Sequence, residues 1–292
     1  MNYNKVPIID IRRHRLLRDG SGVRTLVGFY KCPLHCSYCL NPQCHNTPKV
    51  SSFYSPQELL DTVKVDSLYF TATNGGITFG GGEPLLYSDF INDFIKIAPK
   101  NWKFSCETSL NTSLSKLEMI LEDINEFIVD IKDMTLDIYY RYTGKENALV
   151  LSNLRYVAKQ NLCSKFLIRI PFIPKYNTQD DVQTSVKVLQ DLGFLRFEHI
   201  TYVTNVQEAK INEEENLYNG INWGKITCEV LKEIRATIAV NHGIRFKPNK
   251  CKEKICTTGN CPACENELLA LTKLIHSNNE YGQKKNSCYY LL

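Results

Sequence analysis

The chain has 292 residues, 43% of them hydrophobic, and a formal net charge of +4. That supports a substantial core in one large domain, or a domain with an appendage, and the mild, dispersed charge excludes nucleic acid as the expected main partner. No apolar run of membrane-spanning length occurs and the opening Met1-Asn-Tyr-Asn-Lys5 has no secretory apolar core, so no membrane partner and a cytoplasmic location are expected; there the 12 cysteines favour clusters or metals over disulfides.

Along the chain, strand-like apolar runs are predicted at Val23–Tyr30, Gly76–Phe79, Trp102–Cys106, Phe127–Ile131, Lys165–Pro171 and Phe197–Val203. Amphipathic helical stretches lie between them. Ser55-Pro56-Gln57-Glu58 marks one helix start clearly, with an N-cap serine, proline at the first helical position and glutamate at the third. Further helices are predicted from near Ser88, Thr112 and Thr178, and over Gly224–Val240. Strands alternating with helices predict an α/β fold with a parallel sheet and right-handed crossovers. After Lys247-Pro248-Asn249 the composition turns cysteine- and lysine-rich. A boundary is expected there, dividing residues 1–247 from an extension over 248–292.

The chemically distinctive residues follow these strands in order. Cys32, Cys36 and Cys39, spaced C-x3-C-x2-C, come after the first strand, and Gly80-Gly81-Gly82-Glu83 after the second. Glu107 and Thr108 follow the third, Asp130 and Lys132 end the fourth, Arg169 lies in the fifth and Tyr202 late in the sixth. In an α/β barrel the carboxyl ends of the strands form one face, where catalytic groups gather. Six strands, not eight, predict a partial, open barrel with a lateral gap.

Three thiolates at this spacing can hold three corners of a [4Fe–4S] cluster and leave the fourth iron open to chemistry. A zinc knuckle or three unpaired thiols is the alternative. Glycines at 80–82 suit close approach of a ligand to the backbone, or simply a tight turn. Glu83 could anchor that loop, accept from a ligand ammonium, or stand exposed at a helix start. Arg169, in the apolar run Phe166-Leu-Ile-Arg-Ile-Pro171, is costly to bury unpaired. Its planar fork suits a ligand carboxylate or a structural ion pair.

Taken together, these segments resemble the radical S-adenosylmethionine (SAM) enzymes, and among them the activating enzymes of glycyl radical enzymes, such as the one serving pyruvate formate-lyase. Asp19-Gly-Ser-Gly-Val-Arg24, the cysteine loop with Asn41, and Phe79-Gly-Gly-Gly-Glu-Pro-Leu85 carry the likeness, with Glu107-Thr108, Val129-Asp-Ile-Lys132 and Ile168-Arg169. It covers roughly residues 8–247. The lead-in Asp19–Arg24 is what points to the activating enzymes.

The resemblance implies that SAM chelates the open iron and that one electron, from a flavodoxin or ferredoxin, breaks its carbon–sulfur bond. The resulting 5′-deoxyadenosyl radical would take a hydrogen from glycine in a partner protein, an oxygen-sensitive process expected of an anaerobic or microaerobic setting. It places Tyr38, Gly81, Gly82, Glu83, Asp130, Lys132 and Arg169 around SAM. It also implies a monovalent cation held by Glu107, Asp130 and Thr108, although the family more usually has aspartate at the first position. Ser21 stands where proline is usual, Leu40 where histidine is common, Lys175 where glycine is frequent, and Val203 where a histidine lies near the substrate. The SAM machinery thus reads as intact and partner recognition as altered.

The extension adds Cys251, Cys256, Cys261 and Cys264, interleaved with Lys250, Lys252 and Lys254. Four thiolates can complete a second Fe–S cluster or a tetrahedral zinc site, and ordinary reduced thiols remain the plain reading. Cys44, Cys106, Cys163, Cys228 and Cys288 are expected to be unliganded. The polar stretch Asn205–Trp223 reads as a solvated loop or a contact for a protein partner. The leading expectation is therefore an activating enzyme. A radical SAM peptide- or protein-modifying enzyme is the rival, and an inert metal-binding adaptor the third reading.

Overall fold

The computed structural model describes residues 5–16, 19–45, 52–202, 204, 223–249 and 261–288, with side chains in the last span through 278. All six predicted strands are present, together with two that the apolar runs did not mark. In chain order they are β1 (Val6–Leu16), β2 (Val23–Phe29), β3 (Ser52–Tyr54), β4 (Gly76–Gly81), β5 (Lys103–Thr108), β6 (Glu126–Asp130), β7 (Phe166–Phe172) and β8 (Phe197–Thr201). They make one sheet in the order β3-β1-β2-β4-β5-β6-β7-β8. Each neighbouring pair from β2 to β8 is parallel, whereas β1 runs antiparallel to both β2 and β3. The sheet does not close, as the expected open barrel requires.

Period-two alternation gives the sheet two chemically different faces. Ile77, Phe79, Phe104, Cys106, Phe127, Val129, Phe166, Ile168 and Ile170 enter the main apolar core. Their strand neighbours Thr78, Ser105, Glu107, Asp130 and Arg169 are polar and line the other face. Helices cover the apolar side: α1 (Pro56–Val63), α2 (Ser67–Thr73), α3 (Ser88–Ile97), α4 (Leu114–Glu118), α5 (Leu136–Thr143), α6 (Ala148–Lys159) and α7 (Gln179–Asp191). Ser55 and Thr178 form the N-terminal capping boxes of α1 and α7. Helix α4 has Ser113 at its N-cap, close to the start expected near Thr112.

Strand β1 escaped the apolar pattern because it is bulged and carries charge. Its register with β2 shifts between Arg12 and Arg15, where His14 adopts φ 59°. The bulge turns Arg13 and His14 toward Asp66, a fully buried carboxylate at the start of α2. Arg13 donates to it twice at 2.7 Å, with His14 Nε2 at 3.0 Å and Thr25 Oγ1 at 3.3 Å. Burial alone would raise the Asp66 pKa, but the hydrogen bonds and charges of Arg13 and His14 outweigh it and hold the carboxyl below its usual range. A depressed folded pKa stabilises the fold above the ordinary carboxylate value and stops doing so as pH falls through the folded one. Urea midpoints between about pH 5 and about pH 2 should therefore fall more steeply for the natural chain than for Asp66→Asn. Parallel slopes would count against this ion pair.

Two helices finish the described chain, α8 (Trp223–Asn241) and α9 (Pro262–Cys288). Leu231 and Leu268 pack with Val23 and Tyr69, while Ile238 and Ala239 pack with Leu271 and Ile275. Arg235, fully buried on α8, donates to Tyr69 and, at 2.8 Å, to Glu267 of α9. Arg13 also pairs with Glu265, tying α9 to the bulge in β1. Among the described residues no helix is long and apolar enough to cross a membrane.

Candidate functional site

After Phe29 the chain leaves β2 through Tyr30 and turns at Lys31, φ 66°, into the cysteine loop. Two neighbours hold the loop. On one side Gly82 N donates to Phe29 O at 2.9 Å, Glu83 N to Lys31 O at 2.8 Å, and Asn41 Nδ2 to Gly81 O at 2.9 Å. On the other, His35 N donates to Thr143 O and Ser37 N to Tyr142 O at the end of α5. Cys32, Cys36 and Cys39 are all partly exposed in this frame. Burial pushes the Cys32 thiol up to about 12 and the Cys36 thiol to about 11. Iron must therefore displace their protons, as metal binding to thiols generally does. Among the described residues no three His, Cys, Asp or Glu side chains already stand gathered around a metal position.

The glycines are dictated first by this close packing. A Cβ on Gly82 would lie 2.0 Å from Lys31 O, and one on Gly81, φ 93°, 2.7 Å from Gly28 Cα. Glu83 is not exposed at a helix start: it is fully buried and anchors the loop. Its carboxylate accepts from Thr108 Oγ1 at 2.6 Å, Ser109 N at 2.9 Å, Ser109 Oγ at 2.6 Å and Leu85 N at 3.2 Å. Burial pushes its pKa up, against those hydrogen bonds.

Arg169 has structural partners, Glu107 Oε1 and Glu198 Oε2, each at 2.6 Å. Asp130 instead faces Lys132 at 2.6 Å and accepts from Tyr202 OH at 2.5 Å, with Lys132 also reaching Tyr202. Burial opposes the Lys132 charge, but Asp130 and Tyr202 more than compensate and raise its pKa. Glu107 and Asp130 thus address different cations, and Thr108 gives its hydroxyl hydrogen to Glu83. A monovalent cation between them would have to draw Glu107 from Arg169.

Cys36 feels the charges of both Lys132 and Asp130, so the cysteine loop and the ends of β6 and β8 share one locality. Tyr38 joins them: its OH donates to Pro174 O at 3.2 Å, and its ring packs with Tyr142 and Tyr176. Tyr142 in turn packs with Tyr202, ring centroids 5.9 Å apart. Asp130 Oδ1 and Tyr142 OH are buried there without a hydrogen-bond partner. Buried polar atoms are normally satisfied, so these two mark where a polar ligand fits. Three thiols, two orphaned polar atoms and a buried ammonium form a donor set suited to a cluster and a zwitterionic ligand. Sequence reasoning missed Tyr142, Tyr176, Ser109 and Glu198, which lie in α5, in two loops and in β8 with no motif spacing. Val203 and residues 205–222 lie outside the described residues, as do Cys251 and Cys256.

At the opposite, amino ends of the strands a cavity of about 620 Å³ is lined by Gly20, Ser21, Arg24, Lys103, Glu126 and Glu198, among others. Glu198 therefore both lines this cavity and pairs with Arg169. Asp19 is buried beside it, paired with Arg15, and its backbone oxygen accepts from Thr78 Oγ1 at 2.7 Å.

Residues 26–188 match the model of the radical SAM superfamily. A pyruvate formate-lyase-activating enzyme from Clostridium pasteurianum is 30% identical over 222 residues, covering 75% of this chain and 87% of that protein. The 4-hydroxyphenylacetate decarboxylase activating enzyme of Clostridioides difficile (strain 630) is 27% identical, covering 56% of this chain and 72% of that one. The trans-4-hydroxy-L-proline dehydratase activating enzyme of Clostridioides difficile is 23% identical, with 75% and 91% covered. The chain belongs to the radical SAM superfamily and, within it, to the activating enzymes of glycyl radical enzymes.

Proposed function

We propose that this enzyme reductively cleaves SAM at a [4Fe–4S] cluster held by Cys32, Cys36 and Cys39, and removes a glycine Cα hydrogen from a partner protein. The observation that carries this reading is the placement of Asp130 Oδ1 and Tyr142 OH, buried and unsatisfied, beside the Cys36 loop. When bound, cluster and SAM together supply the hydrogen-abstracting radical, after one electron from a flavodoxin or ferredoxin. The protein's own part is placement. Lys132 presents a buried ammonium toward that space, Asp130 and Tyr142 offer it one oxygen each, and Tyr38 lends an aromatic wall. Gly81 and Gly82 keep the backbone low against the cysteine loop, and Glu83 fixes the turn through Thr108 and Ser109. Arg169 and Glu107 line the interior between this site and the cavity at the amino ends, where a side-chain-free segment of the partner enters. In this reading residues 1–247 are the catalytic unit, and Cys251, Cys256, Cys261 and Cys264 of the extension hold a second centre.

Anaerobic EPR of the reconstituted enzyme with SAM, a low-potential reductant and lysate of its host tests the reading. The expected result is a glycyl radical doublet on a protein, absent when SAM is omitted. Release of 5′-deoxyadenosine with lysate but no such doublet would replace the activating role with peptide modification.

A further inference from the structure

Nothing along the sequence connects Cys228 with the extension. It sits in the second turn of an amphipathic helix, in Lys225-Ile-Thr-Cys-Glu229, where a small buried side chain suffices. The fold gives it company. Helix α8 turns Cys228 inward, 1% exposed, and the first turn of α9 turns Cys264 to meet it, 6% exposed. Their sulfurs are 3.5 Å apart. Cys261 precedes Pro262 at the head of α9, three residues from Cys264, and lies within hydrogen-bonding reach of it. Thiols from two different helices thus meet, and one of them belongs to a C-x2-C pair, although the three are not yet gathered around one metal position.

Burial and the neighbouring thiols push the Cys264 thiol up to about 12. The amino end of α9 supplies partial positive charge. Arg235 lies two turns along α8 from Cys228, fully buried, and its positive charge acts on Cys264. Arg235 offsets the rise only in part, so a metal binding here has to displace the protons, as at the first cysteine loop.

We propose that Cys228 is a ligand of the second centre: with Cys261 and Cys264 it offers three thiolates to a thiophilic metal, an Fe–S cluster or zinc. The inference rests on the second-centre reading given above and moves that centre onto the interface of α8 with α9. Each thiol releases its proton to solvent as the metal binds. Such a centre fastens the extension to the helix that packs against β2 and α2.

The test uses the full chain with Cys32, Cys36 and Cys39 changed to alanine, which removes the first cluster and leaves any remaining metal to report the second. This background is loaded anaerobically with iron and sulfide, or separately with zinc. Metal content, visible spectrum and thermal midpoint are then read. It should bind about four irons and four sulfides, or about one zinc, and its midpoint should rise with the metal.

Adding Cys228→Ala should abolish both the stoichiometric metal and the rise in midpoint, as Cys261→Ala with Cys264→Ala does. Far-UV circular dichroism establishes folding, and the nearly isosteric Cys228→Ser serves if alanine disturbs the interface. Full metal and an unchanged rise in a folded Cys228 variant would overturn the assignment. If only the Cys261 and Cys264 pair then lowers the metal, the second centre survives without Cys228. No stoichiometric metal in the background overturns both.

Discussion

Glu83→Ala is expected to destabilise the fold by about 4 kcal/mol and to leave the enzyme without an assembled cysteine loop. The carboxylate is fully buried and accepts four hydrogen bonds, from Leu85 N, Thr108 Oγ1, Ser109 N and Ser109 Oγ. Removing it strands those donors where water does not replace the acceptor, at about 1–3 kcal/mol for each one left unpaired. Partial relaxation of the loop limits the total. Glu83→Gln keeps the volume but gives up one acceptor oxygen for a donor facing other donors, so a loss of about half that size is expected. Chemical denaturation of the metal-free protein reads both. A loss below about 1 kcal/mol for alanine would show that Glu83 does not anchor the turn.

Gly82→Ala comes next in size. The added methyl would sit 2.0 Å from Lys31 O and 3.1 Å from Phe29 O, both backbone atoms with no rotamer to yield. Relief comes only from parting the glycine loop from the cysteine loop, which breaks the bonds from Gly82 N to Phe29 O and from Glu83 N to Lys31 O. A cost of about 3 kcal/mol is expected, at the upper end for overpacking. Iron content after reconstitution should fall in parallel, because the chain that moves carries Cys32. Retention of normal iron with normal stability would mean the two loops are free to separate. In the sequence this glycine suggested room for a ligand; in the fold, contact between two loops already excludes any side chain.

The parallel strands were legible because each is apolar on its helix-facing side and ends in a residue that chemistry makes conspicuous. Cys32, Asp130 and Arg169 could be placed on a common edge from order alone. Strand β1 was not legible, since Arg12, Arg13, His14 and Arg15 in a row look like a solvated segment until the bulge delivers Arg13 and His14 to Asp66. Partner choice within the site was equally hidden. That Arg169 takes Glu107 and Glu198 depends on β8 lying beside β7, which no local pattern states. Cys228 shows the same limit. Helical periodicity gives its face, but only the packing of α9 decides what that face meets.

The polar face of the sheet has one more consequence. Its charges alternate, with Arg15, Lys132 and Arg169 set among Asp19, Glu107, Asp130 and Glu198, three cations against four carboxylates that partly cancel at short range. A lining so balanced throws little field into solvent. A polypeptide arriving there is not drawn in from a distance. Encounter proceeds at the pace of undirected diffusion, and discrimination begins only once backbone and lining are within hydrogen-bonding reach.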